Sequence, residues 1–237
     1  MDGTARQLSA RSRSRLEPDV QNEPPAGDVT RVPGVESVAF TTDSPEKVAA
    51  RLRRFWTDEV VVPQERGRIG YELTALCSPR LSIGKVGCRV GRTSRASVAQ
   101  PMLQVPLDCS ADFRIGRTKV AIGPGDAVLL PPGHEYTAHI SAGSALFIQV
   151  DTAVLVQGLP SGRAGRPRHW VSRCVPIDVS GTSATSLLTE VGSLLKASEF
   201  TSIGDRAAAF VDAERRLVSW LTGALLVYDT WSALFFV

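Results

Sequence analysis

The chain holds 237 residues, room for one large domain or a medium domain with a substantial extension. Hydrophobic residues make up 43% and charged residues 22%, ordinary globular usage, so a real core forms and a fibrous or wholly disordered chain is excluded. A formal net charge of +3 is too small to demand a nucleic-acid or membrane partner unless it is concentrated locally.

Residues 1–35 hold prolines, charges and almost no large apolar side chains. Such a segment cannot bury enough surface to offset its ordering entropy, so a disordered Arg/Ser/Pro-rich tail is expected. Its opening lacks the apolar stretch of a secretory signal, and Arg6, Arg11, Arg13 and Arg15 read as solvated. The segment "TTDSPEKVAARLRRFW" predicts a short amphipathic helix. Asp43 or Ser44 stands at its cap, Pro45 suits the first turn, and Val48, Leu52, Phe55 and Trp56 share one face.

From Arg68 to about Val156 the texture changes to short segments rich in apolar and β-branched residues: "YELTAL", "LSIGKV", "MLQVPL", "TKVAI", "AVLLPP", "YTAHI" and "ALFIQV". Turn-forming stretches separate them, among them "CSPR", "CSADFRIGR", "GPGD", "PPGH" and "SAGS". Many short strands without intervening helices predict an antiparallel sandwich or barrel, and Pro131 and Pro132 mark a strand end. Arg163, Arg166, Arg168 and Arg173 then surround His169 in a segment that reads as solvated.

After "HWVSRCVPIDVSGTSA" the period turns helical. Leu187, Leu188, Val191, Leu194 and Leu195 form one stripe; Phe210, Val211, Leu217, Val218, Leu221, Leu225 and Tyr228 form another behind an Asp205 cap. The expected fold class is mainly β (α+β): an antiparallel barrel preceded by a short helix and followed by two C-terminal α-helices.

The chemistry is narrower. Cys77, Cys88, Cys109 and Cys174 show no C-x-x-C spacing, which argues for buried thiols in a reducing, cytoplasmic setting. In small barrels the cadence of "GDAVLLPPGHEYTAH" often carries a metal-binding histidine where this chain has Tyr136. His134, His139 and His169 are the only histidines, none lies in 68–107, and a five-residue separation puts His134 and His139 on opposite strand faces. No metal site is expected. A hydrolase lacks its G-x-S-x-G elbow, and Asp126 reads as a turn cap. What remains is a barrel with a mouth, with Tyr71, Arg89, Gln104, His134 and Tyr136 as candidate ligand-lining residues.

Taken in order, "FTTDSPEKVAARL", "LSIGKVGCRVG", "MLQVPLDCSADFRIGRTKVAIGPGDAVLLPPG" and "PIDVSGTSATSLLTEVGSLL" resemble the N-terminal cupin-like domain of AraC-type (AraC/XylS) transcriptional regulators. The resemblance runs from about residue 36 to about 222. It implies a cupin-like barrel over 36–180 that binds a small-molecule effector, a sugar or an aromatic acid, without metal or other cofactor. It also implies a homodimer through the helices of 181–229, placed here on Leu217, Leu221 and Leu225.

The family's DNA-reading domain of two helix-turn-helix units does not follow; residues 230–237 are an unmatched apolar tail. The expectation is a truncated regulator module that binds no specific DNA by itself, with no catalytic role. A tail anchor is the lesser reading of the apolar end, because Asp229 sits badly in a bilayer. The alternatives are a metal-free barrel enzyme and a decoy that dimerises with full-length relatives.

Overall fold

The computed structural model describes residues 35–53, 55–64, 69–158, 174–196 and 202–235. Residues 1–34 of the predicted tail and the arginines around His169 lie outside the described residues, while Val35 packs against the core under the C-terminal helices. The chain opens with β1 (Glu36–Thr42), α1 (Pro45–Leu52) and β2 (Trp56–Pro63). A run of antiparallel strands follows: β3 (Tyr71–Cys77), β4 (Leu81–Cys88), β5 (Arg92–Val98), β6 (Met102–Pro106) and β7 (Ala111–Ile115). It continues through β8 (Thr118–Ile122), β9 (Asp126–Leu130), β10 (Tyr136–Ile140) and β11 (Gly143–Val150). The chain closes with α2 (Thr152–Gln157), β12 (Val175–Asp178), α3 (Thr182–Leu195) and α4 (Ile203–Phe235).

The strands form two sheets, one of seven in the order β1-β3-β4-β11-β6-β9-β12 and one of five in the order β2-β5-β10-β7-β8. Side chains alternate across each strand, so one strand serves two cores. Phe147 of β11 points between the sheets with Leu73, Val86 and Val128, where it meets Ala96, Val98 and Phe113 of the five-stranded sheet. Its neighbours Leu146 and Ile148 point the other way, with Ile83 and Leu103, into a second core roofed by α2, α3 and α4. The middle of the seven-stranded sheet, β6, β9 and the second half of β11, is thus buried on both faces, which is why these strands read as nearly continuous apolar runs.

One end of the barrel is plugged. The ring of Phe147 stands 4.9 Å from that of Phe55, which follows α1, and a Cβ at position 84 would lie 2.4 Å from it. Only glycine leaves Phe147 its place there. Buried Gln149 ties the same corner, donating from Nε2 to the Phe55 carbonyl at 3.1 Å. Ser44 caps α1 by accepting from the Lys47 amide, while Asp43 accepts instead from the Gly70 amide.

The structure revises several expectations. Helix α1 ends at Leu52, and Trp56 opens a strand instead of extending the helical face. Strands β1, β2, β5 and β7 had no counterpart in the expected pattern, and "ADFRI" is a strand where a turn was expected. Ser202 caps α4, accepting from the Asp205 amide while Asp205 accepts from its hydroxyl. Val211 is exposed, off the buried stripe. Leu217, Leu221 and Leu225 are buried against the chain's own sheet, so a partner chain does not need to cover them. Among the described residues no helix is long and apolar enough to cross a membrane.

Candidate functional site

Strand β5 has the sequence RTSRASV, polar at five of seven positions, yet it is an interior strand of the five-stranded sheet, between β2 and β10. Its alternation is strict: Arg92, Ser94, Ala96 and Val98 point inward and are buried. The outward set meets solvent, where Thr93 shares a 3.0 Å hydrogen bond with His139 Nδ1 and Arg95 pairs with Glu135 at 2.9 Å. Two polar groups are therefore carried into the barrel by a strand whose apolar end is anchored deep in the core.

Arg92 stands opposite Pro63 of β2 and Ile140 of β10, at the end of β5 away from the Phe55 plug. Its Cζ lies 5.8 Å from the centroid of the Tyr71 ring, which stacks on Phe40 at 6.0 Å. Among the described residues no Asp or Glu forms an ion pair with it. Taking a cation out of water costs several kcal/mol, while a cation over a tyrosine face recovers about 0.5–2 kcal/mol. The ring contact does not close that gap. Ser94 adds a buried hydroxyl with no hydrogen-bond partner among the described residues, a rare condition for an interior polar group.

Both groups border a cavity of about 30 Å³ between the sheets, lined by Val86, Phe113, Ile122 and Ile140 together with Tyr71, Gln104 and Tyr136. That space admits one or two water-sized groups. Tyr136 rests its ring on Phe113 at 5.9 Å. Gln104 donates from Nε2 to the Met102 sulfur at 3.0 Å, a weak acceptor, so its amide is lightly held. The Cys109 thiol, also on the wall, is pushed above its ordinary pKa mainly by burial and stays protonated. Cys174, with its thiol pushed up to about 12 by burial, is likewise an inert core residue.

Of the five candidate lining residues, the structure brings Tyr71, Gln104 and Tyr136 to this cavity and leaves Arg89 and His134 out. Arg89 follows Val86 and Cys88, which point inward, so parity sends it outward; its methylenes lie over Gly70, whose φ of +56° keeps the crossing tight. It borders an outer hollow with Glu72, Lys85 and Asp108. His134 lies in the turn before β10, its Nδ1 2.9 Å from the Pro132 carbonyl. Arg92, Ser94 and Cys109 were not among the candidates. The signal that could have found the first two was the period-two pattern in RTSRASV, masked because its inward positions are polar too.

His139 is on the outer face of the five-stranded sheet, in an exposed polar hollow with Asp112 and Glu135. Among the described residues no three His, Cys, Asp or Glu side chains are grouped closely enough to hold a metal. A third hollow, between α3 and the outer face of the seven-stranded sheet, is lined mainly by apolar residues such as Val105, Leu146 and Leu188. Among the described residues the interior cavity brings together a buried cation, an orphan hydroxyl and aromatic walls.

A family model, the AraC-binding-like domain, matches residues 48–221, well over half of the chain. Among solved structures the chain is similar to the AraC-like transcriptional activator CuxR, with a TM-score of 0.57 at 12% identity over 80% of this chain and 70% of that one. Smaller portions resemble oxalate decarboxylase of Bacillus subtilis (TM-score 0.33, 14% identity, 38% of this chain and 28% of that one). A cupin superfamily protein of Desulfitobacterium hafniense matches 40% of this chain and 79% of its own, with a TM-score of 0.30 at 14% identity. At 12% identity the likeness to the activator is one of fold. No curated protein matches the chain.

Proposed function

Because the chain belongs to the AraC-binding-like domain family, we propose that it is the effector-binding and dimerisation module of an AraC-type transcription regulator. The observation that carries this reading is a barrel interior fitted with Arg92, Ser94, Gln104, Tyr71 and Tyr136 between apolar walls. A sugar or an aromatic acid is the class of effector to test. The route from ligand to helices runs through one sheet. On β6, Gln104 faces the cavity while Leu103 and Val105 face the helical layer, so a ligand that moves Gln104 moves the surface on which α3 and α4 rest. Arg206 of α4 holds the two helices together by donating to the Leu194 carbonyl at 3.0 Å.

A thermal-shift screen of small sugars and aromatic acids tests the reading. A ligand at a hundred times its dissociation constant adds about 2.7 kcal/mol, roughly 5–10 °C for a domain of this size. Tyr136→Ala should weaken such a ligand at least tenfold, and a ligand indifferent to that change binds outside the barrel.

Self-association belongs on the outward face of α4, where Ser219 and Gly223 are exposed. A side chain at position 223 meets open space, so the double variant Ser219→Glu, Gly223→Glu leaves the folded chain intact. Its mass in light scattering should be half that of the parent. If the variant remains dimeric, the contact lies elsewhere.

A further inference from the structure

Resting on the effector-binding reading, we propose that the ligand of the barrel is a monocarboxylic acid whose carboxylate is held by Arg92 and Ser94. Arg92 is 6% exposed and Ser94 3%, they stand two residues apart on the inward face of β5, and both border the cavity. Among the described residues the Ser94 hydroxyl has no partner and no acid answers Arg92. A guanidinium and a hydroxyl both present donors, and the group that satisfies donors while cancelling a charge is an acceptor-only anion. A neutral sugar would hydrogen-bond here but leave the buried cation uncompensated.

The charge count selects among anions. Among the described residues on the wall Arg92 is the one charged side chain, since burial pushes the Cys109 thiol up. One cation matches one negative charge; a phosphate dianion would bring a second with nothing to meet it. The planar fork of the guanidinium fits the two oxygens of a carboxylate. Beyond that head the walls are Val86, Phe113, Ile122 and Ile140, so the rest of the molecule is apolar or aromatic. The cavity of about 30 Å³ takes little more than the head group, and the body enters by displacing the lightly held Gln104.

The test sets acids against their own amides on the full chain: benzoate with benzamide, phenylacetate with phenylacetamide, hexanoate with hexanamide, and arabinose and inorganic phosphate as other classes. By isothermal titration at least one acid should bind tenfold or more tightly than its amide. Arg92→Met should lose that acid by at least tenfold, and Arg89→Ala, outside the barrel, should not. Arg92→Met by itself should melt no lower than the parent, because the methionine fills the volume without a buried charge. A fall in melting temperature makes Arg92 a structural residue and overturns the assignment, as does a panel in which no acid binds. If amides, arabinose or phosphate bind as well as the acids and are lost in Tyr136→Ala, the anion assignment falls while the effector-binding reading stands.

Discussion

Placing glutamate at both Leu217 and Leu221 should unfold the chain. The two side chains are 1% and 2% exposed, turned with Phe210, Ala213 and Leu225 onto the outer face of the seven-stranded sheet. Each new carboxylate would be stripped of water beside aliphatic neighbours, at an effective cost of several kcal/mol per charge. Two together consume most or all of the 5–15 kcal/mol that a typical domain has. The neighbouring polar ties do not rescue the helix. Glu214 already engages the β3–β4 turn through the Ser78 hydroxyl at 2.9 Å and Arg80 at 3.2 Å, and Arg216 is taken by Asp212 and Glu190. Circular dichroism during a urea titration should show the midpoint lost or shifted far toward zero denaturant. A double variant that melts like the parent but runs as a monomer would instead mean that these leucines meet a partner chain. The Ser219→Glu, Gly223→Glu pair supplies the contrast, the same charge on the same helix with no core beneath it.

That contrast also shows what the leucine periodicity conveyed. A stripe at the helical period states that a face is covered; it does not state by what. The strands divide along a similar line. β4, β6, β9 and β11 hold the part of the seven-stranded sheet that is covered on both faces over most of its length, and "LSIGKV", "MLQV", "AVLL" and "LFIQV" stand out as apolar runs. The five-stranded sheet has one solvated face, so its strands show only every second residue to the core. In β7 that set is Ala111, Phe113 and Ile115, few enough to pass for a turn beside "CSAD". In β5 the inward set begins with Arg92 and Ser94, and the strand looks like a loop. The residues that broke the hydrophobic pattern are the ones that make the cavity polar. Tyr71, Gln104 and Tyr136 were legible because they are polar or aromatic residues on recognisable strands. Arg89 was assigned to the lining on its chemistry, and its parity sends it out.

The second large effect concerns DNA. The 237-residue chain by itself should show no preference for an operator over random duplex, where a specific regulator discriminates by ~10³–10⁷. Reading bases needs a helix or ribbon that enters the major groove with several side chains aimed at base edges. Helix α4 spends one face on the sheet, and its outward charges alternate in sign, with Asp212 2.8 Å from Arg216 and 3.7 Å from Arg215. Phosphates would meet as much repulsion as attraction along it. Helix α3 buries Val191, Leu194 and Leu195 and exposes threonines, with Glu190 engaged by Arg216. Neither helix offers a groove-reading surface. Binding should therefore be of the phosphate kind, with a dissociation constant on the order of 10⁻⁴ to 10⁻⁶ M that weakens steeply as salt rises. A gel-shift competition at physiological salt, with a labelled operator against excess random duplex, measures the ratio directly. Retention of the operator would assign base readout to this module itself. An even loss of both would assign base readout to a domain other than the barrel and its two helices.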